Sequence, residues 1–319
     1  MSEILSMGDA IAEFIRDKAG VPFDQCGCFL GPYASGSPAI FVDAVAKLGH
    51  KSGMIGGIGD DGFGACFYNK LKTDGVSCEN IKVVKNASTG ISFNTYYDDG
   101  SREFNFYFEH TPVVEAEVIN PKTETPIFFH QMGCALMVND TFRKKIIDTA
   151  LSFVSKGAKL TLDPNIRENI LYGRNIEDIL KPILEECSIL LPSSDELRMI
   201  TGNSSILESI DILWKKYPKL ELIVVKMGSK GSVIFNKEKY FSAGVYDIKP
   251  VDPTGAGDNY DAGFLCGILD KKPLTECAKL ASATAALCTQ VMGPMESVIT
   301  KSILNKMIDS KDIISYKKL

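Results

Sequence analysis

The sequence predicts an α/β fold: a three-layer α/β/α sandwich with a mostly parallel sheet between two helical layers. Short apolar runs of strand length alternate with segments of helical periodicity along most of the chain. This alternation is typical of parallel strands joined by helices. The chain has 319 residues, of which 45% are hydrophobic and 24% are charged, a composition that suits one large globular domain.

The predicted elements follow from these patterns in chain order. Strand-like apolar runs occur at residues 4–7, 52–55, 127–130, 160–163, 189–191 and 222–226. Helical spacing of apolar residues occurs at 37–48, 62–72, 140–155, 195–201, 205–215, 255–269 and 274–291. Ligands of such sheets bind beyond the carboxyl ends of the strands, so segments that directly follow strands are the candidate site.

Two segments, 10–16 and 91–108, interrupt the alternation. The second predicts a hairpin around Asp98-Asp-Gly100, because two β-rich runs flank a turn sequence. Three phenylalanines of its second run share one face: Phe104, Phe106 and Phe108. An apolar hairpin face can close over a cleft as a lid, contact a second subunit, or pack on its own core.

The composition argues against several classes of protein. The net charge is -5 and no long basic block occurs, which argues against non-specific binding of nucleic acid or membranes. The first residues lack a signal-peptide pattern, and no run approaches the ~18 apolar residues of a membrane span. Nine scattered cysteines and three separated histidines indicate reduced thiols, a cytoplasmic location and no metal cluster.

The segment Asp252-Pro-Thr-Gly-Ala-Gly-Asp258 opens a predicted helix and is the strongest candidate site. Gly255 and Gly257 remove side chains from its first turn, so the N–H groups there can face an anion at the positive end of the helix dipole. Asp258 in the same turn can accept a proton from an attacking hydroxyl. The alternative is an ordinary capped helix, which needs neither glycine.

A second glycine motif, Gly57-Ile-Gly59-Asp-Asp-Gly62, matches the dinucleotide pattern after a strand. Asp60 and Asp61 would place two carboxylates where a pyrophosphate must approach, so a capped helix is the better interpretation and a nicotinamide enzyme the lesser hypothesis. The sequence contains no G-x-x-x-x-G-K-[ST] motif, which argues against a P-loop kinase.

Three further segments follow predicted strands. In Asp163-Pro-Asn-Ile-Arg167, Arg167 can bind a carboxylate or phosphate, or lie in a solvated turn. Glu196 can orient a hydrated Mg²⁺, or form a capping box with Ser193. The run Lys226-Met-Gly228-Ser-Lys-Gly231 suits nucleotide phosphates, or a hairpin turn.

In this order, from Gly8 to Ser297, these segments resemble the ribokinase-type (PfkB) carbohydrate kinase family. The resemblance implies one ribokinase-like kinase domain over residues 1–319, with a small β-sheet lid formed near 10–34 and 91–115. It implies phosphoryl transfer from ATP with Mg²⁺, and K⁺ in the potassium-activated members. The expected partners are a small sugar and ATP, with no nucleic acid, no membrane, and a homodimer through the lid.

The resemblance also implies residue roles. Asp258 matches the general base, and the anion hole is formed by Gly255, Ala256 and Gly257. The nucleotide is expected at Lys226, Gly228, Gly231, Ser282 and Gly257. Glu196 matches the acid of a magnesium motif and would act through water, although Ser193 replaces the motif's Asn. A monovalent cation is expected at Asp252, Thr254, Gly293 and Ser297.

The sugar site departs from the family pattern. Its expected residues are Asp9, Glu13, Gly36, Ser37, Ile40 and Arg167. Ser35 replaces a glycine and Ile40 replaces an Asn that usually faces the sugar. The sequences of these segments are similar to those of fructokinases, 2-keto-3-deoxygluconate kinases and tagatose-kinase-like members of the family. The expected reaction is phosphorylation of a primary hydroxyl of a ketohexose; the alternatives are 2-keto-3-deoxygluconate kinase, ribokinase, or a non-catalytic sugar-binding regulator.

Overall fold

The computed structural model describes residues 2–97 and 101–316 and contains two β-sheets and their flanking helices. The predicted hairpin turn at Asp98-Asp-Gly100 lies outside the described residues. The strands are β1 (Ile4–Met7), β2 (Ile11–Arg16), β3 (Phe29–Ser35), β4 (Ser52–Gly59), β5 (Ser77–Val84), β6 (Gly90–Tyr96), β7 (Arg102–Tyr107), β8 (Phe128–Met132), β9 (Lys159–Asp163), β10 (Cys187–Leu190), β11 (Leu222–Lys226), β12 (Ser232–Asn236), β13 (Tyr240–Ala243) and β14 (Ile314–Ser315).

The helices lie between these strands. They are α1 (Ser37–Lys47), α2 (Gly62–Thr73), α3 (Gly133–Leu136), α4 (Asp140–Ser155), α5 (Glu168–Leu171), α6 (Ile176–Leu184), α7 (Ser194–Thr201), α8 (Ile206–Lys216), α9 (Ala256–Leu269), α10 (Leu274–Cys288) and α11 (Lys301–Ser310). Within the described residues, no helix is long and apolar enough to span a bilayer.

The large sheet has the strand order β5-β4-β1-β8-β9-β10-β11-β12-β13-β14. Its strands are parallel from β5 to β11, and β12, β13 and β14 add an antiparallel edge. The predicted mostly parallel sheet is confirmed. The parallel strands bring the segments that follow β1, β9, β10 and β11 to one edge of the sheet.

Two hydrophobic clusters cover the two faces of this sheet. Successive residues point to opposite faces: Ile4 and Phe128 belong to one cluster, while Leu5 and Phe129 belong to the other. The first cluster packs against α1, α2, α9 and α10, and the second packs against α4, α6, α7 and α8. The three-layer α/β/α arrangement is therefore confirmed.

A smaller sheet has the order β3-β2-β6-β7. The segment 10–16, which interrupted the predicted alternation, forms its central strand β2, and the two runs of the predicted hairpin form β6 and β7. Strand β3 was not predicted, because Gly31 and Pro32 lie inside it. Pro is tolerated there because β3 is an edge strand, whose outer N–H groups have no ladder partner to lose.

The predicted elements of the large domain are confirmed with small shifts at their ends. The predicted helix 274–291 ends earlier, at Cys288, and the predicted strand 189–191 begins earlier, at Cys187. Between β11 and β12 the chain makes a hairpin turn, so the hairpin alternative at Gly228 to Gly231 is observed. Elements absent from the prediction are β5, β12, β13, β14, α3, α5, α6 and α11.

The Gly57-x-Gly59 motif is a structural feature of β4. A Cβ at Gly57 would lie 1.8 Å from the carbonyl oxygen of Pro112, so this glycine permits close packing of the backbone. Asp61 is the N-cap of α2 and accepts a hydrogen bond from Gly64 N at 2.8 Å. The predicted capped helix is confirmed, and Gly57 and Gly59 are packed against backbone atoms and leave no room for a pyrophosphate.

Candidate active site

A cavity of about 450 Å³ lies between the carboxyl ends of the parallel strands and the small sheet. It brings together residues that are far apart in the sequence. The predicted residues that line it are Asp9, Glu13, Gly36, Ser37, Ile40, Arg167, Glu196, Lys226, Gly228, Thr254, Gly255, Ala256, Gly257 and Asp258. The apolar face predicted for the hairpin also lines it through Phe104, Phe106 and Phe108.

Asp258 lies in the first turn of α9 and is buried in the wall of this cavity. Its Oδ1 accepts a hydrogen bond from Asn165 Nδ2 at 3.3 Å. Burial, followed by the negative charge of Asp163, raises the pKa of Asp258 to about 7. A carboxyl group with such a pKa can exchange a proton near neutral pH.

The turn before α9 has the geometry that its glycines predict. Gly255 is the N-cap and has φ +78°, the left-handed conformation that favours glycine. No side chain caps this helix end. The first-turn N–H groups of a helix lack intrahelical acceptors, and the dipole of this 14-residue helix favours an anion in front of them. Gly255, Ala256 and Gly257 line the same cavity as Asp258. The N–H of Ala256 also donates a long hydrogen bond to Pro253 O at 3.3 Å.

Lys226 lies directly beneath this turn. Its Nζ is 2.8 Å from Asp163 Oδ2 and 3.0 Å from Asp261 Oδ2, and a Cβ on Gly257 would be 3.6 Å from it. Burial opposes the charged form, but the two carboxylates outweigh it and raise the pKa of Lys226. The ammonium group predicted to meet nucleotide phosphates is therefore held by two carboxylates at the base of the turn.

Glu13 and Asp9 form the end of the cavity nearest the small sheet. Glu13 Oε2 accepts from Ser35 Oγ at 2.7 Å, and Oε1 accepts from Asn94 Nδ2 at 2.9 Å. The serine that replaces a family glycine thus holds Glu13 in place. Burial raises the pKa of Glu13 to about 7, and it also raises the pKa of Asp9.

Arg102 and Arg167 both line this cavity close to the ring of Phe104. The guanidinium carbons of Arg102 and Arg167 lie 5.4 Å and 5.6 Å from the ring centre of Phe104. Burial, followed by the charge of Arg167, lowers the pKa of Arg102. No carboxylate within the described part of the chain forms a salt bridge with either guanidinium. The pair is available to an anionic group in the cavity.

Glu196 forms the capping box that was its alternative interpretation. Oε2 accepts from Ser193 N at 2.7 Å, while Ser193 Oγ accepts from Glu196 N. Its other oxygen, Oε1, accepts from Ile166 N at 2.8 Å. Burial, followed by the charge of Asp163, raises the pKa of Glu196. Glu196 still lines the cavity, so a water-mediated contact to a cation remains compatible with its position.

The residues predicted for a monovalent cation cluster behind the turn. Asp252 Oδ2 accepts from Gly293 N at 2.9 Å, and Oδ1 accepts from Thr254 N at 2.9 Å. The hydroxyl of Tyr96 also reaches this place, 2.5 Å from Asp252 Oδ1. Ser297, four residues after Gly293 in the sequence, is also buried. Among residues 2–97 and 101–316, no group of three or more His, Cys, Asp or Glu side chains could hold a metal ion.

A second cavity of about 470 Å³ adjoins the first. Lys226, Gly228, Ala256 and Gly257 line both cavities. The predicted residues Gly231 and Ser282 line only the second, with mostly apolar neighbours: Val245, Tyr246, Ile248, Ala285 and Ala286. Such a lining suits the flat apolar faces of a base. The two cavities therefore meet at the glycine-containing turn.

Five residues at the site were not predicted to act there: Asn94, Tyr96, Arg102, Asn165 and Asp261. Asn94 and Tyr96 share a face of β6, and the two-residue period of the predicted strand indicates this from the sequence. Which face points inward depends on how the small sheet packs, and that packing has no local signature. Asp261 is one turn after Asp258, which is a spacing that places both side chains on the same side of α9.

The comparisons with known proteins agree with this geometry. The family model described as "pfkB family carbohydrate kinase" matches residues 1–301. The chain is 31% identical to fructokinase-2 of Solanum lycopersicum over 313 residues, which cover 94% of this chain and 94% of the relative. It is 30% identical to fructokinase-2 of Solanum habrochaites, again with 94% of each chain covered.

The chain is also similar to a solved structure of a protein with bound ligands. An E. coli protein assigned as a ribokinase II, crystallised in complex with ATP and Mg²⁺, superposes with a TM-score of 0.89. It is 30% identical, and the match covers 98% of this chain and 100% of that one. The matching fold includes both a large, mostly parallel sheet and a small sheet.

Proposed function

The chain belongs to the pfkB family of carbohydrate kinases and is a sugar kinase, and on this premise we propose that it phosphorylates a primary hydroxyl of a ketohexose of the tagatose or fructose type. The observation that carries the proposal is the position of Asp258. Its buried carboxylate lies in the first turn of α9, in the same cavity as Glu13 and Asp9 at the small sheet. A hydroxyl bound between them has an acceptor for its proton beside the open helix end.

Asp258 acts as the general base. The sugar hydroxyl gives its proton to the Asp258 carboxylate as its oxygen attacks the γ-phosphorus of ATP, and ADP leaves with the electrons of the broken P–O bond. With a pKa of about 7, roughly half of the Asp258 carboxyl groups are ionised at pH 7, and the ionised form is basic enough to accept the proton. Asn165 holds Asp258 Oδ1 and so orients it.

The turn at 255–257 binds the transferred phosphoryl group. Its N–H groups and the helix dipole stabilise the negative charge that the phosphoryl oxygens carry in the transition state. Lys226 Nζ lies below the turn, 3.6 Å from the position of a Cβ on Gly257. Because Asp163 and Asp261 already bind this ammonium group, we assign it to positioning the turn rather than to direct contact with ATP.

ATP occupies the second cavity, with its phosphates pointing to the first. The apolar lining near Ser282 suits the adenine ring, and Gly228 and Gly257 leave room for the phosphates where the cavities meet. The E. coli relative was crystallised with ATP and Mg²⁺, which supports ATP and Mg²⁺ as ligands of this chain. Glu196 would hold Mg²⁺ through a bound water, because Mg²⁺ prefers oxygen ligands and usually keeps several of its waters. The ion would neutralise the charge of the ATP phosphates.

A monovalent cation would be held near Asp252, Thr254, Gly293 and Ser297. The buried carboxylate of Asp252 supplies the negative charge that such an ion requires. Its oxygens already accept hydrogen bonds from two backbone N–H groups and from Tyr96, which fixes the carboxylate in one orientation. A cation there would support the turn from behind rather than contact the sugar.

A second candidate substrate is the acidic sugar 2-keto-3-deoxygluconate. The observation that favours it is the pair Arg102 and Arg167, which face the cavity beside Phe104. Two guanidinium groups would bind a carboxylate strongly. A neutral ketohexose gives them only hydroxyl oxygens, although the γ-phosphate can use the same charges. Comparing Arg102→Gln with the unsubstituted enzyme on both sugars separates these possibilities.

The substrate is tested by a coupled assay of ATP consumption over tagatose, fructose, ribose, 2-keto-3-deoxygluconate and nucleosides. The proposal expects the highest kcat/KM for one of the two ketohexoses. A higher value for 2-keto-3-deoxygluconate, lost in Arg102→Gln, would establish the second candidate. A preference for ribose or a nucleoside would contradict both, and ATP consumption that no sugar stimulates would contradict the kinase itself.

We also propose a homodimer through the small sheet. The face of this sheet turned away from the cavity carries Phe14, Phe93 and Tyr107, whose rings contact one another in that order, and Phe63 of α2 packs against Phe14. Tyr107 is 58% exposed. Within the described residues, neither edge strand of the sheet, β3 or β7, pairs with a further strand on its outer side. Light scattering should give twice the chain mass, and Tyr107→Ser, unlike Tyr172→Ser elsewhere on the surface, should yield monomers.

A cytoplasmic location completes the proposal. All nine cysteines are free, and five of them are buried. Free thiols in this number are typical of a reducing compartment. Fractionation of cells that express the tagged protein, with membrane and secreted fractions measured in parallel, tests the location.

A further inference from the structure

The small sheet contacts the turn before α9 through Tyr96, the last residue of β6. Its hydroxyl oxygen lies 2.5 Å from Asp252 Oδ1 and 2.5 Å from Thr254 Oγ1. A carboxylate only accepts hydrogen bonds, so Tyr96 donates its single proton to Asp252 and accepts one from the Thr254 hydroxyl. Burial, followed by the charge of Asp252, raises the pKa of Tyr96, so the hydroxyl keeps its proton.

Asp252 in turn fixes the backbone that follows it. The carboxylate is 1% exposed and accepts from the N–H of Thr254 and the N–H of Gly293, each at 2.9 Å. A buried carboxylate that loses one of its donors is left with unsatisfied charge, so it moves or draws in water. The orientation of the turn at 252–255 therefore depends on the group that Tyr96 supplies.

The same strand also contacts the sugar end of the cavity. Side chains alternate along a strand, so Ser92, Asn94 and Tyr96 point to one side of β6. Ser92 lines the cavity, and Asn94 donates to Glu13 Oε1 at 2.9 Å. One strand thus touches the acid proposed to bind the sugar and, two residues later, the turn proposed to bind the phosphoryl group.

We propose that Tyr96 is a positioning residue for phosphoryl transfer: through Asp252 and Thr254 it holds the N–H groups of residues 255–257 in the geometry that stabilises the transition state. This inference rests on the proposed function. The small sheet is then part of the phosphoryl site as well as a cover for the sugar. The hydrogen bond from Tyr96 to Asp252 forms only when the small sheet is correctly placed. The geometry of the anion site at residues 255–257 therefore depends on the position of that sheet.

The test compares Tyr96→Phe with Tyr97→Phe. The control residue is the next one along the chain, and its hydroxyl donates to Glu103 Oε2 at 2.7 Å in an exposed position. In Tyr96→Phe we expect kcat to fall by roughly ten- to a hundredfold, as small misplacements of catalytic groups do. KM for sugar and ATP should change by less than about threefold, since the ground-state contacts remain. Tyr97→Phe should keep the parent values.

A second readout separates positioning from general support of the fold. Inhibition by ADP with fluoroaluminate, a mimic of the transferred phosphoryl group, should weaken in Tyr96→Phe, while inhibition by ADP alone should not. If Tyr96→Phe does not fold, Thr254→Val, which removes the other hydroxyl of the contact, should show the same selective losses.

The outcomes are distinguishable. Parent-like kcat and fluoroaluminate inhibition in Tyr96→Phe, or in Thr254→Val where that variant replaces it, would overturn the inference. Equal weakening of ADP and fluoroaluminate inhibition would overturn it as well. Absence of sugar-stimulated ATP consumption in the unsubstituted protein would overturn the proposed function instead.

Discussion

The side-chain amide of Asn165 donates to Asp258: Nδ2 lies 3.3 Å from Oδ1. The same nitrogen is 3.3 Å from Ser37 Oγ at the start of α1. Asn165 follows β9 and adopts φ +37°, a left-handed conformation that Asn tolerates better than most residues. One amide therefore joins the predicted sugar segment to the proposed base.

The first prediction concerns pH. Since the pKa of Asp258 is raised to about 7, its basic form is lost as the pH falls below that value. With fructose and MgATP as substrates, kcat/KM should be level above about pH 8 and fall by more than tenfold per unit well below pH 7, because the ionised form of Glu13, whose pKa is also raised to about 7, is lost over the same range. An acid limb near pH 4, the range of ordinary carboxyl groups, would contradict the buried base. Glu13→Gln removes the contribution of Glu13 and should keep a limb of about tenfold per unit, which assigns the remaining limb to Asp258.

The second prediction concerns Asn165. Asn165→Asp replaces a neutral donor to the Asp258 carboxylate with a second negative charge, so the acid limb should move upward by about one pH unit or more. The matched control is Asn169→Asp, four residues further on, whose side chain is exposed and donates to Phe104 O. An unshifted limb in Asn165→Asp, or an equal shift in both variants, would show that Asn165 does not control Asp258.

The third prediction concerns Glu13. Both of its carboxylate oxygens accept hydrogen bonds, from Ser35 and from Asn94, and an amide cannot accept at both positions. Glu13→Gln should raise KM for the sugar about tenfold or more at pH 8, where the parent carboxylate is ionised, with a smaller change in kcat. The effect should be weaker at pH 6. Glu103→Gln on the exposed side of β7 serves as the control and should leave KM unchanged.

The fourth prediction concerns stability. Lys226→Met leaves Asp163 and Asp261 buried without their cation, which should cost about 3–5 kcal/mol in the free energy of unfolding. The loss should grow as the pH rises from 6 to 8, because the two unpaired carboxyl groups fold more easily in their protonated form. Urea unfolding measures it. Lys230→Met, in the exposed turn after β11, should stay within about 0.5 kcal/mol of the parent; similar midpoints for both variants would refute the structural role of Lys226.

The fold could be predicted from the sequence where local patterns are strong. The buried strands of the parallel sheet are short continuous apolar runs and the amphipathic helices have a clear period, so β1, β11 and α4 were placed to the residue. Strand β3 was not predicted, because its Gly-Pro step usually interrupts a strand and is tolerated only at the edge of a sheet. Short helices such as α5, with four residues, have no period to detect.

The site divides in the same way. The residues around Asp258 were predicted because a short contiguous segment carries glycines, a helix start and an acid together. Tyr96 and Arg102 could not be assigned, because their roles arise from how the small sheet lies on the core, a relationship between distant segments. Lys226 was expected at the phosphates; its two carboxylate partners, 63 and 35 residues away in sequence, hold it beneath the turn, where it lines both cavities.

The most direct test of the account is the kcat of Asp258→Asn, measured with saturating ATP and sugar beside Asp270→Asn, which alters the other end of the same helix. The amide fills the same space but cannot take the hydroxyl proton. The account predicts that kcat falls by about 10²–10⁴-fold in Asp258→Asn, with binding of ATP and sugar largely kept, and stays at the parent value in Asp270→Asn. A near-parental kcat in Asp258→Asn would contradict the assignment of the general base.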